Sequence, residues 1–260
     1  MTAQQAAILT GGAGGIGLAT AARLLAKGFD LLLIDRDQQA IDRAMEQLES
    51  EGSRILPLTS DVVREDEVAA AVETAVKAFG RIDALVNIAG GAGPKRVTDI
   101  EEIDTDVWDH VIDLNVKSTF LFCRAVMPVM RGQQYGRIVN LSSVIAFGEK
   151  GPPTTVAARL PYATAKAAII GFTAQLAKDV AADGITVNAL CPGLILGEKG
   201  SRIRDRFDAL PEEERARMLA GYPIGRAGDT DEVASMIEYL LSREAGYITG
   251  TTIRIDGGNL

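Results

Sequence analysis

Thr10-Gly11-Gly12-Ala13-Gly14-Gly15-Ile16-Gly17 is the stretch that decides the fold. It follows a short apolar run at 6–10 and opens a longer amphipathic one at 16–27. Glycines lack a Cβ, so the chain can turn tightly and come close to a phosphate group. The unpaired N–H groups of a helix that starts there carry partial positive charge and receive an anion. A strand before, a helix after and a carboxylate at the end of the next strand set such a turn apart from an ordinary tight turn. Asp35 is that carboxylate, 18 positions beyond Gly17. It can accept hydrogen bonds from both ribose hydroxyls of an adenosine and repels a 2′-phosphate; its plainer role is a turn residue or helix cap. Arg36 beside it could accept that phosphate. The turn itself holds no Lys or Arg, so the expected cofactor is NAD, with NADP less favoured.

The same alternation runs outward along the chain. Strands are predicted at 6–10, 31–35, 54–59, 84–89, 137–142, 186–190 and 252–256, and helices at 16–27, 38–50, 65–79, 105–130, 162–182 and 231–241. The strand runs are rich in Val, Ile and Leu with little polar alternation, as in strands buried on both faces of a parallel sheet. Repeated βα units imply an α/β, doubly wound Rossmann sheet of seven parallel strands with helices on both faces. Gly28, Gly52, Gly80, Gly132 and Gly184 mark helix exits. Asp61 or Thr230 could cap the helices that follow them. No composition break divides the chain, which reads as one domain over 1–260. Two segments interrupt the rhythm: a loop at 148–161 with Pro152, Pro153 and Pro161, and a polar stretch at 197–222. A long irregular stretch in a compact domain is commonly a lid or binding loop, and a lid is the expectation for 197–222.

The 260 residues are 47% hydrophobic and 24% charged, ample for a buried core. A net charge of −8 argues against nucleic acid or an anionic membrane as partner. Cys123 and Cys191 lie far apart in apolar stretches and read as buried free thiols, which fits a reducing cytoplasm. The start, Met1-Thr2-Ala3-Gln4-Gln5, has no basic segment of a secretion signal. Lys166 and Lys178 interrupt the best candidate for a bilayer span. One His and no Cys/His cluster make a metal site unexpected.

Tyr162 and Lys166 are four residues apart in a helical stretch and so share a face. An ammonium beside a phenol favours the phenolate and lowers the tyrosine pKa from about 10. A tyrosine tuned in this way can exchange a proton with an alcohol near neutral pH. A Tyr/Lys pair at this spacing also arises by chance in long helices.

Taken together, the motifs resemble the short-chain dehydrogenase/reductase family over essentially the whole chain. In order they are Thr10-Gly11-x-x-x-Gly15-Ile16-Gly17, Asp61-Val62, Asn87-Ile88-Ala89-Gly90, Asn115, Ser142-Ser143, Tyr162-x-x-x-Lys166, Pro192-Gly193-Leu194-Ile195, and Thr249-Gly250 through Asp256-Gly257-Gly258. The resemblance implies that Tyr162 is the acid/base, that Lys166 lowers its pKa and holds the nicotinamide ribose, and that Ser143 steadies charge on the reacting oxygen. Asn115 would order a relay water, or else be a helix residue satisfied by backbone. Asp61 and Val62 would flank the adenine. Asn87, Ala89 and Gly90 would line the cleft floor, with Asn87 equally able to bond neighbouring strands. Pro192, Gly193 and Ile195 would lie beside the nicotinamide.

Three departures stand out. Ile88 replaces a frequent second Asn. Gly197 stands where many members carry a threonine that contacts the carboxamide. The loop between Ser143 and Tyr162 is long, and Pro152-Pro153-Thr154-Thr155 would border the substrate mouth.

The implied activity is hydride transfer between a secondary alcohol (sugar, polyol or hydroxy acid) and NAD. The alternatives are an NADPH-dependent 3-oxoacyl thioester reductase and a non-catalytic dinucleotide-binding regulator. Lys199, Arg202, Arg204 and Arg206 could bind an anionic substrate, or form a solvated helical face paired with Glu212–Glu214. Apolar surface on the long helices 105–130 and 162–182, with the last strand, would by resemblance build a homotetramer or a homodimer.

Overall fold

Leu31, Leu32, Leu33 and Ile34 are all fully buried, although successive side chains of a strand point to opposite faces. Both faces of their sheet must therefore be covered, which is the physical content of a doubly wound fold. The computed structural model describes residues 4–48, 53–93, 97, 99–148 and 158–259.

The elements run β1 (Ala6–Thr10), α1 (Gly15–Ala26), β2 (Asp30–Asp35), α2 (Gln38–Gln47), β3 (Ile55–Thr59), α3 (Glu65–Phe79) and β4 (Ala84–Asn87). Next come α4 (Thr105–Ile112), α5 (Ser118–Gln133), β5 (Gly136–Leu141), α6 (Arg159–Val180), β6 (Ile185–Pro192) and the short β7 (Ile195–Leu196). The chain closes with α7 (Arg202–Asp208), α8 (Glu212–Ala220), β8 (Gly228–Asp229), α9 (Thr230–Leu241) and β9 (Thr252–Ile255). Seven strands form one parallel sheet in the order β3-β2-β1-β4-β5-β6-β9, and β7 pairs with β8 apart from it. The order reverses between β1 and β4, where a crevice opens at the carboxyl ends of the strands.

One core layer packs Leu9, Leu31 and Leu33 against Leu24 of α1, Ile41 of α2 and Ile237 of α9. The other packs Ile8, Leu32 and Ile34 against Val68 of α3, Phe122 of α5 and Val180 of α6. Each such side chain contributes about 1.5–3 kcal/mol on burial. Arg23 of α1 forks onto Asp231 at 2.5 Å and reaches Glu238 at 2.9 Å, so α1 is clamped to α9 by charge as well as by packing.

Several expected boundaries move, each for a local reason. The helix predicted at 105–130 is two helices joined by a widened π turn, Asp113–Lys117. The Asn115 side chain donates to the Val111 carbonyl at 2.8 Å and competes there with the helical ladder. Gly132 does not end α5 but lies inside it, and the left-handed exit residue is Gln134, at φ 50. Asp229, not Thr230, caps α9 through a reciprocal box with Glu232. Asp61 does not cap α3: its carboxylate accepts from Val63 N at 3.1 Å, and Glu67 accepts from Asp61 N at 2.7 Å. The α6 helix starts at Arg159, three residues before Tyr162, with Pro161 in its first turn. The 197–222 stretch holds α7 and α8 rather than irregular chain. The helix expected over 38–50 ends at Gln47, where Leu48 turns extended, φ −86 and ψ 114. Gly52 and the Pro152-Pro153-Thr154-Thr155 segment lie outside the described residues.

Candidate active site

At the crevice between β1 and β4 lies a cleft of about 890 Å³. Its central wall is the glycine turn, represented by Gly11, Gly14, Gly15 and Ile16. Gly11 turns at φ +65, and a Cβ there would sit 2.8 Å from the Ala89 amide nitrogen. A Cβ on Gly17 would lie 2.1 Å from the Gly11 carbonyl oxygen, so Gly17 is packed beneath the turn rather than exposed in the cleft. Among the described residues no side chain caps α1, and no acidic residue occupies its first turn; Gly17 N and Leu18 N donate back to Gly14 O, and the amides of Gly15 and Ile16 are those placed to meet an anion.

Asp35 and Arg36 close one end of the cleft, with Asp61 and Val62 beside them. The Asp35 carboxylate accepts from Ala13 N at 3.4 Å and from Asp37 N at 3.3 Å, while Asp37 is the residue that caps α2. Ala89 and Gly90 form the floor. The predicted strand 84–89 ends at Asn87 because the Thr10 hydroxyl takes the next two amides, Ile88 N at 3.2 Å and Ala89 N at 3.3 Å. Ile88 packs, partly buried, against the core that includes Leu24 of α1 and also lines the cleft. Asn87 is buried and donates to Asn140 Oδ1 at 2.8 Å, a strand-to-strand bond rather than a cleft contact.

Beneath the floor, a Cβ on Gly90 would lie 2.5 Å from Asn115 Oδ1 and 3.3 Å from Lys166 Nζ. Both side chains therefore press against one glycine. Asn115 donates to Gly91 O at 2.8 Å and accepts from Gly91 N at 3.1 Å, in addition to its bond to Val111. Of the two readings open for Asn115, its hydrogen bonds match the backbone-satisfied one. Lys166 is buried, donates to Leu141 O at 2.7 Å and stands 5.5 Å from the centre of the Tyr162 ring. Burial lowers its pKa from 10.5 to about 8. Tyr162 and Lys166 thus share one face of α6, as their spacing predicts.

Ser143 opens the turn after β5. Its hydroxyl donates to Pro192 O at 3.5 Å and accepts from Ile145 N at 3.4 Å. That bond places Ser143 against the 192–195 segment, of which Ile195 lines the cleft. Pro192 and Gly193 do not line it: Gly193 N donates to Ile255 O at 2.9 Å, and a Cβ on Gly193 would meet the Tyr222 ring at 3.1 Å. Cys123 and Cys191 are free and buried, and burial pushes the Cys123 thiol up to about 12.

The cleft also takes residues that the motifs do not name. His110 of α4, and Asp113 and Leu114 of the turn that carries Asn115, line it close in sequence to that landmark. Ser201, Ile203 and Thr230 line it from α7 and α9, and no spacing rule points to them. Arg204 of the basic run pairs with Asp208 at 2.8 Å, not with Glu212–Glu214.

A dinucleotide fits these groups: donor amides at the α1 start for the pyrophosphate, an accepting carboxylate for the ribose hydroxyls, and a floor that only glycine lets so close to Lys166. The family model described as enoyl-(acyl carrier protein) reductase matches residues 11–259. Short-chain reductase protein NovJ of Streptomyces niveus is 36% identical over 255 residues, 98% of this chain and 94% of that protein. 3-Oxoacyl-[acyl-carrier-protein] reductase FabG of Thermotoga maritima is 36% identical over 252 residues, 96% of each chain. The crystal structure of NAD+-bound xylitol dehydrogenase superposes with a TM-score of 0.88 at 31% identity, over 99% of this chain and 100% of that one. Motifs, fold and matches agree over nearly the full length, and the chain belongs to the short-chain dehydrogenase/reductase family of oxidoreductases, which use a nicotinamide cofactor and act on CH–OH groups.

Proposed function

We propose that this protein is an NAD-dependent dehydrogenase of a secondary alcohol of sugar, polyol or hydroxy acid type. The observation that carries the reading is the buried Lys166 ammonium 5.5 Å from the Tyr162 ring. Its cation favours the phenolate, and Tyr162 takes the alcohol proton as base or returns it as acid. When bound, the nicotinamide ring accepts or supplies the hydride. Ser143 donates to the reacting oxygen, and Lys166 holds the ribose from below. Asn115, held by the Gly91 and Val111 backbone, would order a water that relays the proton onward.

NAD is favoured by the Asp35 carboxylate in the cleft and by a glycine turn without a cation. The likeness to a xylitol dehydrogenase holding NAD+ supports both cofactor and substrate class. A second reading, an NADPH-dependent 3-oxoacyl thioester reductase, rests on Arg36 lining the same end of the cleft and on the likeness to the acyl-carrier-protein reductase. The deciding experiment is a scan of secondary alcohols and 3-oxoacyl thioesters for absorbance change at the nicotinamide band, with each cofactor. Oxidation of an alcohol with NAD supports the first reading; reduction of the thioester with NADPH alone overturns it.

We read 1–260 as one cytoplasmic domain in which α7 and α8 act as a lid over the substrate. The exposed Trp108 of α4 and Phe120 of α5, with β9 at the sheet edge, support assembly as a homotetramer or homodimer, measurable by light scattering. Among the described residues no helix is long and apolar enough to cross a membrane.

A further inference from the structure

Ser201 stands at the N-cap of α7 with extended backbone, φ −77 and ψ 141, yet its side chain makes no capping bond. A serine in that position ordinarily accepts from an amide of the first turn. Its hydroxyl is instead buried with no hydrogen-bond partner among the described residues, and the residue lines the cleft. A buried hydroxyl is costly to leave unpaired, so such a group marks a place where a polar atom of a ligand belongs.

The position says which part of a ligand. Ser143, tied to Pro192 O, places the reacting oxygen next to the 192–195 segment. Ile195 and Gly197 continue from there along the cleft wall beyond β6, with β1, β4 and β5 lying between that strand and β2, which ends in Asp35 at the adenosine end. A Cβ built on Gly197 would lie 3.0 Å from Ser201 Oγ and 3.4 Å from Ser201 Cβ. The Ser201 hydroxyl therefore fills the space that a side chain on residue 197 would fill. At this end the redox ring presents one polar substituent, its carboxamide.

Resting on the nicotinamide reading above, we propose that Ser201 is the positioning residue for that carboxamide, donating its O–H to the carboxamide oxygen. Gly197 is small so that α7 can bring this hydroxyl in. A held carboxamide keeps the ring from turning over, so one face of it meets the alcohol carbon. The lid helix thereby senses the redox ring directly.

The test is a pair of binding titrations on the full chain, with NADH and with ADP-ribose, which lacks the nicotinamide. Ser201→Ala should weaken NADH by roughly 3- to 10-fold, the size of one hydrogen bond, and leave ADP-ribose unchanged. Gly197→Thr alone should also weaken NADH, because two side chains then compete for one space. The double variant G197T/S201A should return NADH affinity to within about 2-fold, since the hydroxyl is restored from the other side. Equal loss for both ligands, or no loss for either, overturns the assignment while leaving the cofactor reading in place. Wild-type protein that binds ADP-ribose but not NADH overturns both.

Discussion

The glycine turn and the α7–α8 segment, proposed above as a cover, are built on opposite terms, and Ser201 and Ile203 bring the second to the cleft that the first lines. At the turn, backbone meets backbone: an added Cβ would lie 2.1 Å from a carbonyl oxygen at Gly17 and 2.8 Å from an amide nitrogen at Gly11. In the cover, α8 has no buried residue, and Phe207 is the buried hydrophobic of α7. A site wedged by main chain tolerates one ligand shape, because packed interiors have no room to relax. A cover with so little burial opens at low free-energy cost, as ligand-binding lids must. On the reading proposed above, the rigid half would hold the pyrophosphate and adenosine of the cofactor, and the adaptable half would meet its nicotinamide end and the substrate.

The largest test of this contrast is chemical and belongs to the rigid half. Tyr162→Phe should lower turnover by about 10³-fold while NADH affinity, measured by fluorescence titration, stays close to wild type. Turnover near wild type would remove Tyr162 from the mechanism. Next is Gly11→Ala, which forces a Cβ against Ala89 at φ +65 and should cost roughly 2–4 kcal/mol in chemical denaturation.

Lys166→Met separates stability from activity in the same region. It should abolish turnover yet raise stability at pH 7 by roughly 1–2 kcal/mol, because it removes a buried charge. The sign follows from linkage. The folded pKa, about 8, lies below the ordinary 10.5, so the unfolded chain holds the proton more tightly and the full penalty applies below pH 8. Wild-type stability should therefore gain on the variant as pH rises from 8 to 10.5. Alcohol oxidation, which needs the phenolate, should rise with pH as Tyr162 ionises. A constant stability gap from pH 8 to 10.5 would show that the ammonium is not desolvated.

The smallest effects set the two halves against each other on the surface. Arg23→Ala, which breaks the α1–α9 clamp, should cost about 0.5–1 kcal/mol, whereas Glu213→Ala on α8 should move stability by less than about 0.5 kcal/mol. Equal losses by thermal melting would mean that the cover is as tightly integrated as the turn.

The rigid half is also the half that local sequence describes well. Runs such as Leu31–Ile34 advertise burial on two faces, and the strand–glycine–helix order names the crevice before any packing is known. Strand ends are harder, since β4 stops where a hydroxyl on another strand, Thr10, claims two amides. The break between α4 and α5 depends on a single carboxamide finding Val111 and Gly91 together, and 24 residues separate Asn115 from Gly91. Thr230 and Asp229 are both plausible caps by composition, and only backbone direction chooses Asp229. Ser201 and Ile203 reach the cleft because α7 folds back over it, and no periodicity in a short charged segment encodes that return.

The clamp between α1 and α9 has a further consequence for biosynthesis. Arg23 leaves the ribosome 208 residues ahead of Asp231 and 215 ahead of Glu238. Through most of translation α1 is without the carboxylates that steady it, although its own strand is already made. Docking of α1 onto α9 is therefore a late event, and a chain ending before Asp231 would lack this contact altogether.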